Sequence, residues 1–229
     1  MQRNKISFKG QKIFIGIDVH AKNWVVSIAP EVGIVRSHSQ KASAKVLFDF
    51  LKKNYPEGEY QAVYESGFSG YSTYYALKEV GIECMVIHAA DVPTTQYEEV
   101  MKTDRVDAEK LVRSLKAGLL RGNYILEKQY IDDRSVVRIR RTIQKQLSGY
   151  KSRVKHLLHC HGVEFPERFS KKQTHWSRAF IAWLMQDVRL MSDTRVSLDL
   201  LVRQVEVLRG TLLDATRQMR RMGQAERYR

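Results

Sequence analysis

The chain has 229 residues, and its 39 lysines and arginines outweigh 25 acidic residues to give a net charge of +14 at neutral pH. This length suits one large domain or two modest ones, and no apolar run approaches the roughly 18 residues that a membrane-spanning helix needs. We expect no signal peptide, and the two distant cysteines, Cys84 and Cys160, predict no disulfide framework and fit a reducing cytoplasm.

The first half of the sequence predicts a mixed sheet flanked by helices. Isoleucines at alternate positions in residues 12–20 indicate a buried strand. Two short strands close behind it indicate an antiparallel meander. In chain order we expect strands at residues 12–20, 24–28 and 33–36, a helix at 42–53, a strand at 60–64, a helix at 71–80, a strand at 82–87 and a helix at 102–111. This order predicts the α/β fold class.

Beyond Gly122 the pattern is entirely helical. Asp132 and Asp133 are candidate N-caps of a first helix that continues to about residue 157. A second helix is expected at about residues 174–191. In residues 198–222 apolar side chains recur in steps of three and four over more than three heptads, a pattern that predicts a coiled-coil seam. The alternative is a long helix packed on its own domain.

The charge is concentrated in this second half. Residues 1–120 contain 16 basic and 14 acidic side chains, whereas residues 121–229 contain 23 and 11, so the net charges are +2 and +12. A nearly neutral half joined to a strongly basic one predicts a domain that carries out chemistry, followed by a domain that binds a partner through its positive charge. The partner that this charge fits is a polyphosphate backbone, DNA or RNA.

Two pairs of acids are candidates for chemistry. Asp104 and Asp107 lie three residues apart in a helical pattern, so their side chains share one face and repel each other. We expect neither Glu109 nor Lys110 to face this pair, which makes a divalent cation its predicted partner. The alternative is a solvated acidic helix face.

Asp18 and Glu65 form the second pair. Asp18 lies within the first strand, where an ionised carboxylate is expensive to bury without a partner, and Gly16 on the same face leaves room for something bulky. Glu65 ends the fourth strand. If these strands are neighbours, the two acids meet, and a helix crossing that face brings Asp104 and Asp107 to the same point. Four carboxylates can hold two Mg²⁺ ions about 4 Å apart, as in sites that cleave phosphodiesters.

The segments GIDVH, YESG and KTDRVDAEKL at residues 16–20, 64–67 and 102–111 resemble the D-E-D-D signature of the insertion sequence 110 family of transposases. That family includes the Piv-type site-specific DNA invertases. The resemblance implies an RNase H-like, RuvC-like catalytic domain over residues 1–122. It implies that the catalytic metal ligands are Asp18, Glu65, Asp104 and Asp107, with Mg²⁺ or Mn²⁺ as the cofactor.

The resemblance also implies the partners. We expect residues 123–192 to be a basic helical nucleic-acid-binding region and residues 193–229 to be a coiled-coil helix that builds a homodimer or a higher oligomer. Family members pair with DNA through a structured guide RNA, in the cytoplasm of bacteria or archaea and in association with the nucleoid. They continue into a C-terminal domain with a nucleophilic serine. No segment of this sequence corresponds to that domain, so we expect a fragment or a truncated form.

We therefore expect a DNA transposase or site-specific recombinase that uses the four-acid metal site and is guided by RNA. Two alternatives remain open: a stand-alone RuvC-like junction nuclease, and a non-catalytic assembly module that binds nucleic acid but no divalent metal. The expected contacts with the phosphate backbone come from Arg134, Arg138, Arg141, Lys145, Arg153 and Lys155.

Overall fold

The computed structural model of the chain describes residues 7–96, 101 and 103–228. Lys102, in the acidic motif, and Arg229 lie outside the described residues. The chain divides into two compact units, residues 1–125 and residues 126–229. Within the described parts of both units, no helix combines the length and the apolar character needed to cross a membrane.

The first unit is built on one five-stranded sheet. Its elements are β1 Lys12–Val19, β2 Asn23–Pro30, β3 Arg36–Lys41, α1 Ala44–Asn54, β4 Glu59–Glu65, α2 Ser72–Glu79, β5 Glu83–Ile87 and α3 Asp104–Lys116. The strand order is β3-β2-β1-β4-β5. The first three strands pair antiparallel, whereas β4 is parallel to β1 and β5 is parallel to β4. This mixed sheet flanked by helices confirms the predicted RNase H-like α/β fold.

The third strand forms later in the chain than predicted. Residues 33–36 were expected to be extended, but β3 begins at Arg36 and ends at Lys41. Gly33 has a φ of 148° and lies in the turn before the strand. The pairing of Asn23 with Lys41 and of Ile28 with Arg36 sets the register of β3 on β2. Cross-strand pairing, rather than the apolar character of residues 33–36, therefore decides where β3 lies.

The two faces of the sheet have separate cores. Ile13, Ile15 and Ile17 of β1 pack with Leu47 and Leu51 of α1 on one face. This packing explains α1, whose buried side chains recur at helical spacing and whose N-cap Ser43 accepts a hydrogen bond from the Val46 amide. The alternate residues of β1 point to the opposite face, which α3 covers.

Gly16 permits α3 to lie directly on β1. A Cβ atom at this position would lie 2.3 Å from the Ala108 carbonyl oxygen and 2.7 Å from the Val112 amide nitrogen. The sequence predicted room beside Gly16, and the backbone of α3 occupies it. On the same face Val112 packs against Phe14 and Ala29.

The second unit is entirely helical. Its main helices are α4 Lys128–Cys160, α5 Arg178–Gln186 and α6 Ser192–Met222, and its 3₁₀ turns are Glu167–Phe169, Lys172–Thr174 and Glu226–Tyr228. Arg140 of α4 donates to Thr216 of α6, and Arg227 beyond α6 donates to Asp133 of α4. The earlier residue of α4, Asp133, contacts the later residue, Arg227. The later residue of α4, Arg140, contacts the earlier residue, Thr216. The helices α4 and α6 are therefore antiparallel. Their shared core includes Val154, Phe180, Leu198, Val202 and Val205.

Two expectations for this unit need correction, and a third stays a prediction. The predicted N-caps, Asp132 and Asp133, lie inside α4, and the Asp133 carboxylate instead accepts hydrogen bonds from Arg227 at 2.6 and 2.9 Å and from the Tyr228 hydroxyl at 2.9 Å. The helix expected at residues 174–191 is shorter, because Ser177 caps its start by accepting from the Phe180 amide. The seam of residues 198–222 packs partly within its own unit, and the dimeric coiled coil is not confirmed.

Replacing Gly16 with Ala should lower the free energy of unfolding by about 1–3 kcal/mol, because the added methyl group overpacks the contact between β1 and α3. Urea denaturation followed by circular dichroism measures the change. Gly149→Ala in α4 is the matched control, because its Cβ would meet no atom within 4 Å and alanine favours a helix by about 1 kcal/mol. Equal stability of the two variants would contradict a tight contact at Gly16.

Candidate active site

Asp18 and Glu65 lie at the same end of two neighbouring parallel strands. The register pairs Ile17 of β1 with Tyr64 of β4, so each acid is the next residue along its strand. Strand alternation places Asp18 on the face of Gly16, and Glu65 on the face of Val63. Val63 packs against Leu111 of α3. Both acids therefore lie on the sheet face that α3 covers.

The first turn of α3 brings the other two acids to this end of the sheet. Thr103 caps the helix by accepting a hydrogen bond from the Val106 amide at 3.3 Å, and Asp104 and Asp107 follow within the first turn. The N-terminal end of a helix dipole stabilises negative charge there. Burial raises the pKa of Asp18, His20 lowers it, and the charges of Asp104 and Asp107 raise it. The structure thus brings together all four acids that the sequence predicted.

His20 is a site residue that the sequence reasoning missed. Its Nε2 atom lies 3.0 Å from Asp18 Oδ2 and 3.3 Å from Asp104 Oδ2. Among the described residues these three side chains form a group that could hold a metal ion, with ligand atoms within 4.8 Å of one another. The signal was present in GIDVH, because residues two apart at the end of a strand point to the same face.

Lys110 is a second correction to the predicted site. Its Nζ atom lies 3.4 Å from Asp107 Oδ1 and 3.7 Å from Glu65 Oε1, and its side chain is only 10% exposed. The prediction that Lys110 does not face the acids was wrong. Residues three apart share a helix face, so the long side chain of Lys110 extends back past Asp107.

A hydrogen-bonded chain on the other side of α3 fixes its rotation. Arg105 Nε donates to Glu109 Oε1 at 2.8 Å, and Ser37 of β3 donates to the same oxygen at 2.9 Å. Ser37 is in turn 2.8 Å from the hydroxyl of Ser27 in β2. The bond from Arg105 and then the bond from Ser37 lower the pKa of Glu109, against its burial. Glu109 therefore holds α3 to the sheet while its neighbours face the site.

The donor set suits divalent cations. Carboxylates with an imidazole are ligands that Mn²⁺ accepts, and Mg²⁺ prefers carboxylate oxygens. Asp18 and Asp104, with His20 between them, fit one cation. Glu65 and Asp107 share the ammonium group of Lys110 instead. The residues therefore fit the implied metal at the first pair, whereas a lysine already offsets part of the negative charge of the second.

A groove of about 680 Å³ opens beside this cluster. It lies at the end of β1, at the starts of β2 and α1 and along α2, and His20 lines it together with Trp24, Lys45, Phe68 and Ser72. His20 borders both features, so the groove adjoins the acidic cluster through this one side chain.

Comparison with known proteins identifies the family. The model of the IS110-type DEDD transposase family, described as "Transposase", matches residues 15–161, a range that contains all four acids. The chain belongs to this family. Putative transposase y4qE of Sinorhizobium fredii is 27% identical over 180 residues, or 77% of this chain and 45% of that protein. The transposase for insertion sequence element IS1533 of Leptospira borgpetersenii is 30% identical over 112 residues, or 47% of this chain and 32% of that protein.

A third relative, putative transposase y4rJ of Sinorhizobium fredii, is 29% identical over 168 residues, which are 66% of this chain and 42% of that protein. The chain thus spans less than half the length of each of these curated relatives.

Replacing Asp18 with Asn should stabilise the protein at pH 7 in the presence of EDTA. Burial raises the pKa of Asp18 in the folded protein above its ordinary value of 3.8. Ionisation of Asp18 therefore lowers the free energy of unfolding as the pH rises above 3.8. The asparagine in the variant does not ionise, so the variant should have the higher free energy of unfolding at pH 7. This difference from the wild type should shrink as the pH falls towards 3.8. Urea denaturation across this pH range measures the difference.

Asp49→Asn, on the exposed face of α1, is the control for loss of one surface carboxylate and should show no comparable gain at pH 7. An Asp18→Asn variant that is less stable than the wild type at every pH would contradict the expected sign.

Proposed function

We propose that this chain supplies the metal-dependent active site of a DNA transposase or site-specific recombinase. The proposal assigns Asp18, Glu65, Asp104 and Asp107 to act on DNA phosphodiester bonds with Mg²⁺ or Mn²⁺. The observation that carries it is the convergence of these acids and His20 at one end of the sheet, in a chain that belongs to the DEDD transposase family.

The roles of the side chains follow from their positions. A bound divalent cation would polarise the phosphodiester and lower the pKa of an attacking water. Asp18 and Asp104 would hold this cation, and His20 orients both carboxylates from between them. Gly16 and Thr103 keep the first turn of α3 against β1, so the two carboxylates stay in place without reorganisation.

The basic face of α4 is the proposed surface for the DNA backbone. Arg134, Arg138, Arg141 and Lys145 recur in steps of three and four and are exposed, whereas Ile143 on the other side of the helix is buried. Arg153 and Lys155 flank this stripe nearer the end of the helix. Aligned cations on one helix face match the repeating charge of a polynucleotide.

A second cationic feature of the same unit supports binding to phosphates. A groove of about 350 Å³ between α4 and α6 is lined by Lys151, Arg209, Arg217 and Arg220. Burial lowers the pKa of Lys151, and the charges of Arg209 and then Lys155 lower it further. An anionic ligand relieves such crowding of like charges.

We further propose the partners that the family resemblance implies: a structured guide RNA and a second copy of the chain, in a bacterial or archaeal cytoplasm at the nucleoid. The predicted seam of α6 packs partly inside its own unit. A dimer through α6 would therefore use its opposite side, where Val196, Leu200 and Val207 are exposed.

A stand-alone junction nuclease is the second candidate, because all four acids are assembled within this chain. It predicts that the 229 residues cut branched DNA when Mg²⁺ is added, whereas the transposase proposal predicts no such cleavage by this chain alone. A gel assay with a four-way junction separates the two.

Asp104→Ala should reduce metal-dependent DNA cleavage by about 100-fold or more in a protein that contains these residues. The reason is that stabilisation of charge by a metal is worth several kcal/mol and each 1.36 kcal/mol is tenfold in rate. DNA affinity should remain largely unchanged. Asp49→Ala is the control for loss of an acid outside the site, and full cleavage by Asp104→Ala would refute the site assignment.

The affinity for duplex DNA should fall with salt. If the four side chains of the α4 stripe and the two that flank it, about six in all, meet phosphates, the logarithm of the binding constant falls against log salt with a slope of about −5. Replacing Arg134, Arg138 and Arg141 together with Gln should reduce the slope by about 3. Fluorescence anisotropy measures both, and the matched triple variant Lys171→Gln, Lys172→Gln, Arg189→Gln should keep the wild-type slope. A slope near zero for the wild type would contradict the proposal that α4 binds the DNA backbone.

A further inference from the structure

Lys110 is a buried lysine that lies between two acids of the cluster. Only 8% of the residue is exposed, and lysines are almost never buried without a charged partner. Its ammonium group lies 3.4 Å from Asp107 and 3.7 Å from Glu65. The two acids come from different elements, α3 and β4, so Lys110 links the helix to the sheet at the site itself.

The four acids therefore fall into two pairs with different counter-charges. Asp18 and Asp104 share the His20 imidazole, which carries a positive charge only when it is protonated. Glu65 and Asp107 share the Lys110 ammonium group. The ammonium group of Lys110 thus occupies the place between Glu65 and Asp107 where a second metal ion would otherwise bind.

The position of Lys110 is held by the packing of α3. Its neighbours Ala108 and Leu111 are buried, and the Ala108 carbonyl lies against Gly16 of β1. Glu109 binds Ser37 of β3 on the other side of the helix. Rotating α3 to withdraw Lys110 would break these contacts, so the Lys110 side chain stays on the face of α3 that carries Asp107.

We propose that Lys110 is the resident counter-cation of the Glu65–Asp107 pair and limits the four-acid site to one tightly held divalent cation, at Asp18 and Asp104. The inference rests on the proposed function and replaces the two-metal arrangement expected from four free carboxylates. Lys110 is a positioning residue, since it acts through Glu65 and Asp107.

The decisive experiment is a calorimetric titration of the full chain with Mn²⁺. The wild type should bind one Mn²⁺ tightly. Lys110→Met keeps most of the apolar stem but removes the charge, so this variant should bind a second Mn²⁺ at least about tenfold more tightly than the wild type does. Equal stoichiometry and affinity in the two proteins, or two tight sites in the wild type, would overturn the inference.

Thermal unfolding provides a second readout, separate from binding. In EDTA the Lys110→Met variant should melt below the wild type, because two carboxylates lose their shared cation. Mg²⁺ should restore more of the melting temperature in the variant than it adds to the wild type. A lysine that is merely structural would give a loss that Mg²⁺ does not restore, which would count against the inference.

Lys116→Met is the matched control on the same helix. The Lys116 ammonium group donates to the Pro30 carbonyl at 3.1 Å, so its loss should lower stability by the same amount with and without Mg²⁺. A wild type that binds no divalent cation would overturn the proposed metal site together with this inference. A changed Mn²⁺ stoichiometry in Lys116→Met would show that the effect is not specific to Lys110.

Discussion

The close contact between α3 and β1 at Gly16 is the constraint on which the candidate site depends. Any side chain at this position would overlap the backbone of the helix. Because the contact involves main-chain atoms, it allows α3 little freedom to slide along the strand. Asp18 lies two residues beyond Gly16, and Asp104 and Asp107 lie in the first turn of α3. One glycine therefore sets the distance between acids that are more than 80 residues apart in sequence.

Crowding four carboxylates at this contact is unfavourable, and the surrounding groups offset it in part. Thr103 begins α3 so that the positive end of the helix dipole faces the acids. Lys110 offsets part of the charge of one pair, and His20 lies within the other. The pKa of Asp18 nevertheless stays raised, so a destabilising charge remains where the first cation is expected. Such residual destabilisation is common at sites prepared for a ligand.

The helical unit keeps most of its cations out of its core. The core buries one side of α4 and one side of α6, and the cations of both helices lie outside it. Arg227 beyond α6 is paired, because its guanidinium group donates to the Asp133 carboxylate, which also accepts from the Tyr228 hydroxyl. That triad joins the start of α4 to the segment after α6 and completes the antiparallel pairing of the two helices.

The sequence by itself determined the class of fold and named the candidate acids. Alternating isoleucines predicted β1, the order of strands and helices predicted the mixed sheet, and the motifs pointed to all four acids that the structure brings together. Tertiary structure decided what periodicity cannot encode. Whether Lys110 reaches Glu65 depends on how α3 is rotated against β4. The position of β3 depends on its pairing with β2. The burial of the α6 seam depends on the apolar side chains of α4 and α5 that pack against it. Local spacing specifies which residues share a face, but only packing specifies what that face meets.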